Sequence, residues 1–313
     1  MDRRTFLKTL AMTAAVAAVK PSELLAREGR TSEPQAQGAD IPDLVAVMGG
    51  EPDEMLLRAL AELGGIERYV KPGYKVTIKP NIGWDRTPER AGNTNPLLVG
   101  TLVAECFRAG ASEVTVFDHT CDNWTKCYQS SGIEDAVKAK GGKMLPANTD
   151  NYYREVELPQ GQKLHSAKIH EAILDCDVWI NVPILKHHGG SNLSAAMKNL
   201  MGIVWDRRAF HMNGLNQCIA DICTLDKKPV LNIVDAYRTL HSNGPQGRSE
   251  EDVKLTKALF AGPDFVTVDT AACRFFSQLR DTPVDTVGYL ADGEALQLGT
   301  THLDQVNVKR IKL

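Results

Sequence analysis

One stretch, Asp177 to Gly202, limits what this 313-residue chain can fold into more than any other. Val178, Trp179, Ile180, Asn181 and Val182 form a short apolar, β-branched run of the kind that fills a strand buried on both faces. Pro183 lacks the N–H that a central strand must donate, so it is expected to end the ladder. Lys186, His187, His188, Gly189 and Gly190 then read as a polar glycine loop. Ser191 or Asn192 is a good N-cap for a helix that carries Lys198 and Asn199 and stops at Gly202. In an open α/β sheet, ligands sit beyond the carboxyl end of a strand and beside a helix N-terminus, so this segment is expected to build a site.

The rest of the chain supplies the sheet. Leu44 to Met48 predicts a strand, and Pro52 sits in the first turn of a helix closed by Gly64 and Gly65. Lys75 to Lys79 and Glu113 to Phe117 predict two more strands, with a helix opened by Pro96 between them. That alternation points to a parallel sheet. Arg154 to Leu158 and Lys163 to Ile169 read as a β-hairpin. Further strands are expected at Pro229 to Val234, ending in Asp235, at Leu255 to Ala261, and at the edge from Gln305 to Ile311. The expected fold is therefore α/β: a mostly parallel, doubly wound sheet with helices on both faces and a small β-hairpin excursion.

Four short pieces stand in order along the chain: Lys79-Pro80-Asn81; Asn95-Pro96 with Ala109-Gly110-Ala111; the run from Asn181 to His188 continued by Ser194 to Gly202; and Asn243-Gly244-Pro245-Gln246-Gly247. Together they resemble the DUF362 family. The likeness covers roughly residues 43 to 280 and implies a fold and a clustered site, without implying a reaction. Some members resemble this chain plus a ferredoxin-like module. No Cys-x-x-Cys spacing occurs here, so an iron–sulfur cluster motif is lacking.

The N-terminus is expected to be a targeting segment. Arg3-Arg4-Thr5-Phe6-Leu7-Lys8 before the apolar run Thr9 to Val19 resembles a twin-arginine signal, and the run is too short for a stable membrane anchor. Residues 1–26 are read as that signal, 27–40 as a polar linker and 41–313 as the α/β domain. The expected location is periplasmic or otherwise extracytoplasmic. The translocation machinery is the expected partner, and passengers of this route cross folded, often with a cofactor loaded. A net charge of −3 argues against a general nucleic-acid binder. Of the seven cysteines, Cys106, Cys218 and Cys273 read as core thiols, and Cys121 and Cys127 are spaced for a small disulfide loop.

Strand ends are expected to deliver Lys79, Asn81, Asp118, His119, Lys186 to His188 and Asp235 to one edge. One reading is an enzyme acting on a small anionic carboxylate or phosphate. Lys79, Asn81, Lys198, Asn199 and Arg207 would bind the substrate, helped by a helix dipole after Gly190. Lys186 and His187 would be the acid–base or nucleophilic groups, since a lysine desolvated beside other cations loses its proton near neutral pH. A second reading adds a divalent transition metal on His188, Asp118 and Asp235, ligand types that suit zinc, iron or manganese. A third is a non-catalytic periplasmic binding or cofactor-maturation protein using the same basic pocket. A fourth makes the Lys-His-His run a structural polar network. No nucleophile elbow, Walker loop or dinucleotide fingerprint is present.

Overall fold

The computed structural model describes residues 41–313. The signal and linker read at 1–40 lie outside the described residues. In chain order the strands are β1 (Leu44–Met48), β2 (Lys75–Pro80), β3 (Glu113–Val116), β4 (Lys143–Met144), β5 (Tyr153–Glu157), β6 (Ser166–His170), β7 (Val178–Val182), β8 (Ile184–His188), β9 (Asn192–Ser194), β10 (Leu231–Leu240), β11 (Val253–Gly262) and β12 (Val308–Lys312). The helices are α1 (Pro52–Glu62), α2 (Pro96–Arg108), α3 (Trp124–Ser130), α4 (Ile133–Ala139), α5 (Glu171–Asp175), α6 (Ala196–Asn199), α7 (Arg208–Asn213), α8 (Leu215–Ile222), α9 (Phe265–Phe276) and α10 (Gly288–Ala295).

The main sheet runs β12-β1-β11-β10-β7-β2-β3-β4, with β8 and β9 attached beside β10. Its centre is parallel: β10 pairs β7, β7 pairs β2, β2 pairs β3 and β3 pairs β4. β11 is antiparallel to both β1 and β10. This is a mixed, mostly parallel α/β sheet, as the sequence predicts. Strand alternation divides the core in two. Val76 and Ile78, Ile180 and Val182, and Leu231 and Ile233 pack with α1, α2 and α4 on one face. Trp179, Val234 and Phe260 pack with α8, α9 and α10 on the other. The β5/β6 hairpin forms its own two-stranded sheet, and Ile169 bridges to Val204 outside it.

Three local expectations fail. Pro183 does end the pairing of β7 with β2, but the chain stays extended. Its carbonyl accepts from Asp235 N at 2.8 Å, and β8 then runs beside β10. Lys186, His187 and His188 are therefore strand residues. No helix starts at Ser191 or Asn192: Gly189 and Gly190 lie in the turn of a β8–β9 hairpin that pairs His188 with Asn192. The helix begins only at Ala196, is four residues long, and is capped by Asp269, whose carboxylate accepts from Ala196 N at 2.6 Å and Met197 N at 2.9 Å. A helix-dipole site after Gly190 is thereby excluded. Asp235 is also not at a strand end, because β10 continues to Leu240.

Trp124 to Ser130 is α3, with the Asn123 side chain accepting from Lys126 N. All seven cysteines are free. Cys121 is exposed and Cys127 buried, so the disulfide loop does not form; the core placement of Cys106, Cys218 and Cys273 is as expected.

Candidate functional site

On the face opposite α1 and α2, the sheet centre carries a polar row where an apolar one would be ordinary. Lys79 of β2 lies beside Asn181 of β7, and Asn181 beside Asn232 of β10. All three are fully buried. Asn181 Nδ2 donates to Asn232 Oδ1 at 2.8 Å and to the Ala196 carbonyl at 3.0 Å. Asn199 Nδ2 donates to Asn181 Oδ1 at 2.8 Å. These bonds lock α6 onto the sheet and satisfy groups that would be costly to bury unpaired.

Lys79 ends the row. Its Nζ meets Asp118 Oδ1 at 2.7 Å, Asn199 Oδ1 at 2.9 Å and the Pro80 carbonyl at 2.9 Å. Two hydrogen-bond acceptors and a carboxylate in ion-pair contact are the surroundings of an ammonium. Burial pushes the Lys79 amine below its ordinary value, and the Asp118 carboxylate opposes that shift. Asp118 Oδ2 accepts from Ile82 N at 2.6 Å and lies 3.5 Å from Asn81 Nδ2. Gly202 lies against the pair: a Cβ there would meet Asp118 Oδ1 at 2.0 Å and Lys79 Nζ at 2.5 Å. Only glycine lets the chain pass this close to a buried ion pair.

Beyond the carboxyl ends of β2, β3 and β7 opens a cavity of about 970 Å³. Its floor holds Asn81, Asp118 and Asn199, and the β5/β6 hairpin and α7 contribute walls through Lys168 and His211. Lys186 and Lys198 both line it, and both are buried. Lys186 Nζ donates to Asn81 Oδ1 and to the Gly92 carbonyl, each at 2.7 Å. Lys198 Nζ has one partner, the Met201 sulfur at 3.2 Å. Neither has a carboxylate partner among the described residues. Burial pushes the Lys186 amine down to about 7 and the Lys198 amine down to about 8. Arg207 also lines the cavity; it donates to the His119 carbonyl at 2.9 Å and the Thr120 carbonyl at 2.8 Å, both neutral groups.

The acidic groups on the wall are already engaged. Asp118 is paired with Lys79, Asp206 with Arg208, and Glu155 accepts from the Ser166 hydroxyl. Lys198 and Arg207 thus face the cavity as cations, beside the Lys186 amine, against carboxylates that are engaged elsewhere, the electrostatic footprint of an anion site.

Strand alternation separates the two adjacent histidines. His188 lines the cavity, and its Nδ1 accepts from Gly190 N at 3.0 Å. Burial, then the charges of Lys198 and Lys186, push it down to about 3, so it is neutral with its hydrogen on Nε2. His187 points away. Its Nδ1 accepts from Gly244 N at 3.0 Å, and it does not line the cavity. Gly244 is fixed there by contact, since a Cβ would meet the His187 carbonyl oxygen at 1.8 Å. The glycine-proline loop thereby packs on β8 and delivers Pro245 to the cavity.

Of the residues singled out in the sequence, Lys186, His188, Lys198, Asn81, Asn199, Asp118 and Arg207 are brought together. Lys79, His187 and Asp235 are not in the lining. Lys79 is sealed under Gly202. Asp235 accepts from Asn95 N at 2.7 Å and Tyr237 N at 2.9 Å, which commits both oxygens to backbone. The donor set His188, Asp118 and Asp235 does not fit a metal, because the two carboxylates are spent on Lys79 and on backbone amides. Among the described residues, no group of three or more His, Cys, Asp or Glu is placed to hold one.

His119, expected beside Asp118 at the strand-end edge, also lines the cavity. Its Nδ1 faces the Val204 carbonyl at 2.8 Å and its ring stacks on Trp205 at 5.1 Å. Burial, then the Arg207 charge, push it below its ordinary value. The neutral ring therefore carries its hydrogen on Nδ1 and keeps Nε2 as an acceptor. Its position directly after Asp118 at the end of β3 was the available signal. Asp269, which caps α6, was visible as the one carboxylate in an otherwise apolar and hydroxylic helix face.

Residues 76–274 match the family model described as "Domain of unknown function (DUF362)". A similar curated protein is the thylakoid-associated protein sll1697 of Synechocystis sp., 25% identical over an alignment of 222 residues that covers 68% of this chain and 66% of that protein. Among solved structures, the lactate racemase apoprotein of Thermoanaerobacterium thermosaccharolyticum aligns with a TM-score of 0.43 at 11% identity, over 68% of this chain and 53% of that one. A Thermotoga maritima protein aligns with a TM-score of 0.46 at 12% identity, over 73% of this chain and 60% of that one. The chain thus spans just under two thirds of the curated relative and less of each solved chain.

Proposed function

This chain belongs to the DUF362 family, and we propose that it is an enzyme acting on a small carboxylate or phosphate held in the cavity at the carboxyl edge of its sheet. The observation that carries this is Lys198, buried in the cavity beside Lys186, neither of them with a carboxylate partner among the described residues. A buried charge is costly unless it is paired, so an anionic ligand supplies what the free site lacks. Arg207 adds a fixed positive charge at the rim. Lys186 is the acid–base or nucleophilic group, because its position near pH 7 suits proton transfer. Asn81 orients it, and the polar row beneath keeps Asn81 and Asn199 in place.

Thermal-shift titration of the purified protein against phosphate and a set of small carboxylates tests the site. At least one anion is expected to raise the melting temperature of the wild type, and Lys198→Ala is expected to weaken that anion by roughly tenfold or more, the loss of one charge-assisted contact. Equal shifts in wild type, Lys186→Ala and Lys198→Ala would end the anion-site reading. Lys186→Arg separates catalysis from binding: it puts a fixed charge in place of the amine and keeps the anion-induced shift but removes turnover, whereas a pure binding protein would be indifferent to it.

The twin-arginine reading of residues 1–26 makes the protein an exported one. The relative's name places that protein at the thylakoid, a membrane system, which accords with a life at or beyond a membrane. No helix among the described residues is long and apolar enough to cross a bilayer. Changing Arg3 and Arg4 together to lysine is expected to retain the full chain in the cytoplasm, read by cell fractionation; unchanged export would remove this assignment.

A further inference from the structure

Within this reading of the cavity as an anion site, we infer that Lys186 is a covalent nucleophile that condenses with the carbonyl carbon of an oxo acid, with Lys198 and Arg207 holding the acid group. The partners of each lysine nitrogen decide its state. Lys79, two residues before Asn81, has two hydrogen-bond acceptors for its nitrogen and a carboxylate in ion-pair contact at 2.7 Å, the surroundings of an ammonium. Lys186 has two, Asn81 Oδ1 and the Gly92 carbonyl, and both are neutral. A neutral amine has two hydrogens, and these two acceptors take both. The remaining tetrahedral position of Nζ is the lone pair, and Lys186 contributes to the cavity wall. Burial keeps water from that nitrogen and is the main cause that favours its neutral form; the Asp118 charge opposes it and the charges of Lys198 and Lys79 add to it. The two lysines of one site are thus assigned opposite states by their partners.

The condensation balances as follows. The Lys186 lone pair attacks the carbonyl carbon and forms a C–N bond, while the carbonyl π pair moves to oxygen and is protonated by the nitrogen's own released hydrogen. The resulting hydroxyl leaves as water after taking a proton from the Lys198 ammonium. The product is a protonated imine on Lys186, with Lys198 left as a neutral amine. No oxidant or reductant is consumed. The protonated imine keeps one N–H, which Asn81 Oδ1 or the Gly92 carbonyl already stands ready to accept. An oxo acid fits because its carbonyl neighbours the charge that the other cations recognise.

The test is reductive trapping on the full-length protein with glyoxylate, pyruvate and 2-oxoglutarate in turn, using sodium cyanoborohydride followed by peptide mapping by mass spectrometry. The expected result is one reduced adduct per chain with at least one of the three, located on Lys186 and at least tenfold above that on the exposed Lys140. Lys186→Arg should remove it without moving it to Lys198. No adduct on Lys186 with any of the three, or labelling no greater than at Lys140, would overturn the assignment. A parallel thermal-shift series with lactate, which has the acid group but no carbonyl, separates the two readings. Stabilisation by lactate and pyruvate without an adduct keeps the anion site and ends the nucleophile. Stabilisation by no anion in the wider carboxylate and phosphate panel, and no adduct, ends both.

Discussion

Asp118→Ala is expected to destabilise the protein by about 3–5 kcal/mol, the cost of leaving a buried charge without its partner. Lys79 Nζ would lose its carboxylate partner, at 2.7 Å, inside a region that excludes water. Ile82 N would lose its 2.6 Å acceptor, and Asn81 would lose a neighbour that helps orient it toward Lys186. Urea unfolding followed by tryptophan fluorescence measures this directly; a loss below about 1 kcal/mol would mean that the ion pair does not carry the centre of the sheet. The double variant Lys79→Met with Asp118→Leu is expected to recover part of the loss, because removing both charges removes the unpaired one. Recovery would be incomplete, since Asn199 Oδ1 and Ile82 N would remain without partners.

The same pair shows how far the sequence could be read. Lys79 and Asp118 were visible as polar residues at the ends of buried apolar strands, and both do converge at the carboxyl edge. What could not be seen was that they meet each other. A lysine at a strand end is ordinarily a solvated charge, and nothing in Lys79-Pro80-Asn81 states that Gly202 will close over it. Strands β1, β2, β3 and β7 were legible because short apolar, β-branched runs bounded by polar residues have few other uses. β8 was hidden by Pro183. The proline does stop pairing with β2, and the inference that it also stops extension did not follow, because β10 offers a second neighbour. Gly189-Gly190 between two alternating segments was a hairpin signal that the N-cap reading of Ser191 and Asn192 obscured. With the hairpin, period-two alternation decides the histidines: His188 goes to the cavity and His187 to the Gly244 loop. Asp235 was misread for a related reason. Aspartate is depleted in strands, so it looked like an end, whereas here it sits within one and holds two backbone amides.

Lys186→Met is expected to abolish turnover and any imine adduct, and it also carries a stability signature that a surface lysine would lack. The Lys186 amine is held at about 7 in the folded protein by burial, against an ordinary value of 10.5. The folded value lies below the unfolded one. Between pH 7 and 10.5 the unfolded chain therefore binds more protons at this position than the folded chain. Stability of the wild type rises with pH across that window by about 1 kcal/mol per pH unit from this group alone, and is flat in this contribution below pH 7, where both states are protonated. The methionine variant lacks the group, so the stability difference, wild type minus variant, should climb steadily from pH 7 toward 10.5. Its absolute sign at a given pH also includes the Asn81 and Gly92 acceptors left open by methionine, a cost of about 1–3 kcal/mol each when buried. The slope does not include them, because neither group titrates. Chemical denaturation of both proteins at intervals from pH 6 to 10 reads it. A difference that stays constant over that range would mean that Lys186 remains an ammonium in the folded state, and the lone pair on which its nucleophilic role depends would not exist at neutral pH.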